Sequence, residues 1–390
     1  MKCNCVNGVL TICLEGRIDS NNAAAIEQEI MAAVDNNPHT SLVLDLDTLE
    51  YVSSAGLRII LRLRKQDATL KIINVCSEVY EIFDMTGFTE MMDIEKAYKK
   101  ISIDGCEVIG QGANGKIYRI NDDTIVKVYM DPDCLDDIKR ERALAKKAFV
   151  LGIPTAISYE IAKVGDTYGS VFELLNANSF AHLLSTDSKN IDKYVDLYID
   201  LLKKIHQTVV KDEDMVDMRQ TAINWAQFDK DYLPEEIGKK LVDLVKAVPK
   251  DNHMMHGDYH IKNVMMQNDE VLLIDMDTLC VGNPIFELGS MFNAYEGFSA
   301  LDESVSLAFL GVPHEIAVEF WEKALEKYLG TTDKEKIKKV EDKAKIIGFM
   351  RLLRRLIRRG GLEDAEKKRE VDYFIEQLTK LVPTVDSLLI

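Results

Sequence analysis

Between His256 and Met266 the chain reads HGDYHIKNVMM, a stretch that places two histidines, an aspartate, a lysine and an asparagine within eight residues. Three chemistries compete for such a set. His256 and His260 are four apart, with Asp258 between them, as zinc ligands on a helix would be, but Gly257 weakens a helix there and no comparable third ligand motif follows. A Ser-His-Asp hydrolase is disfavoured because no G-x-S-x-G elbow occurs. Phosphoryl transfer needs a carboxylate to orient and deprotonate a hydroxyl, oxygen ligands for magnesium, and a cation for the phosphates. Asp258, with Asn263 five residues later, has the spacing of base and metal ligand in a kinase catalytic loop, and the strand VLLID delivers Asp275 as a second metal carboxylate.

These groups need a nucleotide opposite them, and the upstream sequence supplies a cradle. GQGANG sets Gly110, Gly112 and Gly115 in a G-x-G-x-x-G turn. It falls between two expected strands, as a kinase loop does, rather than between a strand and a helix as in a dinucleotide fold. Twelve residues after Gly115, IVKVY presents Lys127 on a strand, suited to the α and β phosphates. The helix expected from Ile138 to Val150 carries Glu141 as the carboxylate best placed to fix that lysine. Asp136 and Asp137 are the alternatives, nearer the helix start, where acids commonly serve the macrodipole.

The elements that must position these residues can be read around them. Residues 1–98 alternate short strand and helix signals: VLTICLEG and SLVLDL as strands, NNAAAIEQEIMAAVDNN as a helix opened by a capping asparagine, YVSSAGLRIILRLRK as a turn into a helix, then LKIINV and SEVYEIFDMTG. Residues 105–175 read as a strand-rich lobe and 176–390 as a mainly helical one. The fold class expected is a small α/β domain followed by a bilobed α+β unit.

Composition narrows the function further. A net charge of −17 makes nucleic acid or an anionic lipid surface a poor partner, and no apolar run reaches the length of a membrane helix. Seven scattered cysteines without a CxxC pair read as reduced thiols in a cytoplasmic protein, and Cys3 and Cys5 lack the second ligand pair a metal site would need. RLLRRLIRR puts Arg351, Arg354, Arg355 and Arg358 on one helical face. That face either neutralises neighbouring acids or meets an anionic substrate or partner.

From about residue 105 onward the sequence resembles the aminoglycoside phosphotransferase and choline kinase-like family, whose loop reads HGDxHxxN followed by a strand ending in I-D. The resemblance implies a protein kinase-like fold and transfer of the γ-phosphate of ATP, with Mg2+, to a hydroxyl of a small molecule. Asp258 would be the base, Asn263 and Asp275 the metal ligands, and Lys127 the nucleotide contact. His256 and His260 would shape the loop, and backbone groups from Glu173 to Leu175 would meet the adenine edge. Where that family often carries G-D-P-x-x-D-L, this chain has GNPIFELG, with Asn283 and Glu287 replacing the aspartates. Residues 1–98, through LVLDLDTLEYVSSAGLRIIL, resemble a STAS domain of the anti-sigma factor antagonist type. That resemblance implies a protein partner and puts Ser54 at the position phosphorylated in such switches, although Ser53 stands where many relatives carry an aspartate. The plainer role for Ser54 is to cap the following helix. A protein serine kinase and a non-catalytic nucleotide sensor are the alternative functions. The acceptor pocket is expected in the helical lobe, in a region that includes Asn224 and Trp225.

Overall fold

The computed structural model describes residues 1–112, 115–211 and 215–390. Two compact units divide the chain: Met1–Cys106 with Glu160–Gly169, and Glu107–Tyr159 with Ser170–Ile390.

In the first unit, strands β1 (Lys2–Val6), β2 (Val9–Ile18), β3 (Ser41–Val52), β4 (Lys71–Val75) and β5 (Asp93–Lys96) form one sheet in sequential order. β1 and β2 are an antiparallel hairpin, and the remaining pairs are parallel. Parallel neighbours need crossovers. These are α1 (Ala23–Asn36), α2 (Ser54–Gln66) and α3 (Ser77–Met85) with the short α4 (Phe88–Met91). Leu10, Ile12, Leu42, Leu44 and Ile72 on the strands and Ile59, Ile60 and Leu63 on α2 are almost wholly buried, each worth roughly 1.5–3 kcal/mol of transfer free energy. Gly56 permits that close approach, because a Cβ there would lie 2.6 Å from Val52 Cγ2 and 2.8 Å from Ile18 Cγ2. The strand Lys99–Lys100, β6, pairs in parallel with Glu160–Val164.

Two local expectations are corrected. Asn22 does not cap α1 through its side chain; Asn22 Oδ1 accepts from Asp19 N and its Nδ2 donates to Arg17 O, closing the preceding turn instead. The cap of α2 is Ser53, whose Oγ accepts from Ala55 N at 3.2 Å, so Ser54 is the first helical residue and is exposed.

In the second unit, β7 (Glu107–Gln111), β8 (Gly115–Arg119) and β9 (Thr124–Tyr129) form an antiparallel meander, followed by α5 (Leu135–Val150). Beyond Ser179 the chain is mainly helical. Short strands Val264–Gln267 and Glu270–Leu273 make a hairpin between the helices Glu235–Ala247 and Pro284–Phe292, and the helix Lys334–Arg358 packs on Pro284–Phe292. One contiguous core, including Tyr198, Tyr259, Tyr295, Phe320 and Trp321, fills this helical part.

Candidate active site

The β7–β8 turn and β9 come first. Gly112 N donates to Gly115 O at 2.9 Å, closing the glycine turn; Ala113 and Asn114 within it lie outside the described residues. The three glycines differ in what they permit. A Cβ on Gly115 would sit 2.3 Å from Val128 O, so this glycine lets β8 lie against β9. Gly110 is tighter than usual against Ile117 at 3.2 Å, and Gly112 has open space around it.

Lys127 lies in β9. Its Nζ donates to Glu141 Oε1 at 3.1 Å and Oε2 at 3.3 Å, and to Asp275 Oδ1 at 2.8 Å. Burial alone would lower the lysine's pKa, but the charges of Asp275 and Glu141 outweigh it and raise it above the ordinary value. Glu141 is itself buried on α5 and accepts a 2.6 Å hydrogen bond from Tyr129 OH. Asp136 and Asp137 are exposed and pair with Lys139 and Arg140 on their own helix. Glu173 ends a strand, and between it and Leu175 the Leu174 amide donates to Asp123 O at 2.7 Å.

The HGD loop is held from several directions. His256 N donates to Glu287 Oε2 at 2.6 Å, and Gly257 N donates to Glu287 Oε1 at 3.0 Å. Glu287 is fully buried, and His206 Nε2 faces it at 3.8 Å. Burial would raise its pKa, but His206, His256 and the Gly257 amide favour the carboxylate and bring it below the ordinary value. The longer glutamate therefore hydrogen-bonds the loop backbone. Gly257 has φ +82°, and a Cβ would lie 2.4 Å from Thr278 O, so no side chain fits. The Asp258 amide donates to His256 Nδ1 at 3.4 Å; Nε2 of that ring then carries the proton and donates to Ile274 O at 3.2 Å.

Asp258 Oδ2 lies 3.4 Å from His260 Nε2, and its side chain is 39% exposed. Burial pushes its pKa upward, but the His260 hydrogen bond and charge, followed by Arg351 and His256, hold it down at about 2. Asn263 Nδ2 donates to Asp258 O at 3.1 Å, and Ile274 N donates to Asn263 O at 3.0 Å, which ties the loop to the strand leading into Asp275. Asp275 has φ 63° and ψ 65°, a left-handed conformation uncommon for a non-glycine residue. Asn263 and Asp275 offer the sparse, hard oxygen donors that magnesium accepts when phosphates complete its shell. Among the described residues no group of three or more His, Cys, Asp and Glu is arranged to hold a metal by itself.

Several contributors carry no motif. Arg351 Nη1 donates to Ser290 Oγ at 2.7 Å and to Gly257 O at 3.3 Å, and its guanidinium lies 5.7 Å from the Trp225 ring. Tyr198 OH donates to Tyr259 O at 2.9 Å, and Ile261 N donates to Tyr295 OH at 3.2 Å, so buried tyrosines support the loop from beneath. Asp277 is pushed up to about 7 by burial and by the charges of Asp275 and Glu141. Its one sequence signal was the second acid of IDMD.

A lysine shared between a helix carboxylate and a hairpin aspartate, beside a loop carrying a second aspartate and an asparagine, defines a phosphotransferase unit of the protein kinase-like class. The model of the phosphotransferase enzyme family (APH) matches residues 105–318, and a STAS domain model matches residues 2–101. The chain belongs to the phosphotransferase enzyme family, with a STAS domain at its N-terminal side. BtrV of Bordetella bronchiseptica, described as an anti-sigma factor antagonist, is 37% identical over 93 residues, which are 23% of this chain and 79% of BtrV. The anti-sigma-F factor antagonist RsfB of Mycobacterium tuberculosis is 44% identical over 54 residues, covering 14% of this chain and 43% of RsfB. Among solved structures, a thermostable mutant of aminoglycoside phosphotransferase APH(4)-Ia with ADP and hygromycin B is 11% identical with a TM-score of 0.48, covering 72% of this chain and 94% of that one. The gentamicin complex of APH(2")-IIa is 13% identical with a TM-score of 0.46, covering 71% and 92%. Among the described residues no helix is long and apolar enough to cross a membrane.

Proposed function

We propose that the second unit transfers the γ-phosphate of ATP to a hydroxyl of a small molecule. The observation that carries this reading is the Lys127 ammonium held by Glu141 and Asp275 at 3.1 and 2.8 Å, with Asp275 directly after the Ile274 amide that binds Asn263 O and Asn263 in turn holding Asp258 O. Lys127 holds the α and β phosphates, the turn of Gly110, Gly112 and Gly115 covers them, and backbone groups from Glu173 to Leu175 receive the adenine. Mg2+, when bound by Asn263 and Asp275, supplies charge that neutralises the phosphate oxygens.

Asp258 accepts the hydrogen bond of the acceptor hydroxyl and takes its proton as the new oxygen–phosphorus bond forms and the bond to ADP breaks. A carboxylate with a pKa of about 2 is a weak base. It acts chiefly by orienting the hydroxyl, which suits a loose transition state in which the proton leaves late. Only the turn Met276–Thr278 and the strand Cys280–Val281 separate Asp275 from Pro284, which leaves little platform for a peptide and favours a small acceptor over a protein serine. The STAS domain would bring a protein partner, with the exposed Ser54 as its modification site. Cytoplasmic placement fits the free cysteines.

The test is Asp258→Asn. Turnover of ATP in a screen of alcohol acceptors should fall by about 10²–10⁴, with binding of a nonhydrolysable ATP analogue retained. Undiminished turnover would remove Asp258 from this role.

A further inference from the structure

The charges of Arg354 on Asp229, and of Arg351 and Arg355 on Asp258, act from the helix Lys334–Arg358 without a direct ion pair among the described residues. Arg351 is spent on the Gly257 carbonyl and Ser290. Arg354 and Arg355 lie over aromatic rings, of Phe228 at 5.9 Å and Phe298 at 5.4 Å. Among the described residues none of Arg351, Arg354, Arg355, Arg358 and Arg359 forms an ion pair with a carboxylate, in a chain whose net charge is −17. The helix macrodipole accounts for cations in the last turn, Arg355 and Arg358, but not for Arg351 and Arg354 above it. Crowding is evident at Arg355: burial, then Arg359 and Arg351, lower its pKa, with Asp258 the carboxylate that opposes them.

Arg355 also lines a cleft of about 390 Å³ together with Phe298, Phe309, Phe374, Asp302 and Glu370. The Phe298 and Phe309 rings meet edge to face at 5.1 Å. Lys262, itself a residue of the HGD loop, lies 5.9 Å from the Phe309 ring, and that ring packs against His260 at 5.2 Å. His260 touches Asp258, while its Nδ1 is buried and has no hydrogen-bond partner among the described residues. Phe309 in the wall of the cleft is thus joined through buried His260 to the carboxylate assigned to the acceptor hydroxyl. Asp302 accepts from the Ser304 amide at 3.0 Å, and among the described residues neither Asp302 nor Glu370, both in the lining, forms an ion pair with Arg355.

We infer that this cleft is the acceptor site and that the acceptor carries an anionic group, a carboxylate or a phosphate monoester, received by Arg355 and Lys262 while its hydroxyl faces Asp258. The inference rests on the phosphotransferase reading above. Its physical basis is that clustered cations without a direct ion-pair partner repel each other, and an anion between them removes that repulsion while gaining charge-assisted hydrogen bonds. A polycationic acceptor would meet the same cluster with repulsion.

The test uses the full chain saturated with Mg2+ and a nonhydrolysable ATP analogue, titrated calorimetrically with inorganic phosphate, glycerol 3-phosphate, D-glycerate, choline and kanamycin. At least one anion should bind saturably. Arg355→Gln should weaken it about 10-fold or more, Arg355→Lys should recover part of the loss, and the two cations should not bind. Comparison of glycerate with the phosphates distinguishes a carboxylate from a phosphate acceptor. Absence of anion binding, equal binding by Arg355→Gln, or tighter binding of choline or kanamycin would overturn the inference and leave the phosphotransferase reading standing. Failure of the ATP analogue itself to bind would overturn that reading first.

Discussion

Glu287 is the sharpest point at which to perturb the catalytic loop, because it is fully buried and its two oxygens accept the amides of His256 and Gly257 at 2.6 and 3.0 Å. Glu287→Ala strands both amides. Each unsatisfied buried amide costs about 1–3 kcal/mol, and allowing for the lost side-chain volume the expected destabilisation is about 3–5 kcal/mol. That is a large share of the roughly 5–15 kcal/mol that stabilises a domain. Both tryptophans, Trp225 and Trp321, lie in the same unit as the loop, so tryptophan emission during urea denaturation reports on this unit alone. Glu287→Gln keeps the shape and one acceptor but turns an NH2 group toward a backbone N–H, so it should lose about half as much. The pH dependence has a definite sign. The folded pKa is lowered below the ordinary 4.5, so the carboxylate's contribution is complete above that value and is lost as pH falls through the folded pKa. The gap between wild type and Glu287→Gln should therefore be constant at neutral pH and close only in acid, below the ordinary 4.5. Turnover of Glu287→Gln should fall by about 10² from displacement of Asp258 alone. Wild-type stability and turnover in Glu287→Ala would refute the assignment of Glu287 as the loop's anchor.

Three further outcomes follow from other parts of the structure. Gly115→Ala forces a Cβ to within 2.3 Å of Val128 O and should disrupt the β8–β9 pairing and nucleotide binding, whereas Gly112→Ala, with open space around it, should leave stability unchanged in the same denaturation assay. Ser53→Ala should cost the first unit about 1 kcal/mol through loss of the α2 cap, and Ser54→Ala within about 0.5 kcal/mol of nothing, measured by amide hydrogen exchange on the sheet. Asp229 is buried without a hydrogen-bond partner among the described residues, and burial, only partly offset by Arg354, pushes its pKa up to about 9. Because the folded state holds this proton and the unfolded chain does not, stability should decline on the order of 1 kcal/mol per pH unit as pH rises toward 9, and Asp229→Asn should flatten that slope.

What could be read from the sequence was whatever chemistry fixes at short range. Asp258, Asn263 and Asp275 are recognisable because the roles proposed for them would require one loop and the hairpin after it to carry all three, which fixes their spacing. Lys127 and Glu141 are readable because a strand followed by a helix brings a cation and an acid together at a narrow range of separations, and the structure joins them at 3.1 Å. The supports were not readable. Ser290, Arg351 and Tyr198 reach the loop from distant segments, and their types carry no obligatory spacing. Arg351 looked like part of a surface stripe, yet its partner is a backbone carbonyl, which no side-chain pattern encodes. The α2 cap was displaced by one residue because two adjacent serines offer the same oxygen, and only backbone geometry distinguishes them.

The two sides of Asp258 have opposite electrostatic character, and this constrains what can enter. On the side where the nucleotide is proposed to bind, Lys127 faces Glu141 and Asp275, and nearby Asp277 is driven up to about 7 by its burial and then by the charges of Asp275 and Glu141. Such a set repels a triphosphate until divalent cations reverse its sign, so nucleotide and metal should bind together rather than in sequence. On the other side the arginines and Lys262 form no direct ion pair with a carboxylate among the described residues, and the anion inferred to enter there would need no metal. Asp258 lies at the boundary, its pKa lowered by His260 and Arg351 from the cationic side. A hydroxyl arriving on an anionic carrier would partly cancel that cationic field and raise the basicity of Asp258 at the moment its proton must be accepted, which couples acceptor binding to the chemical step.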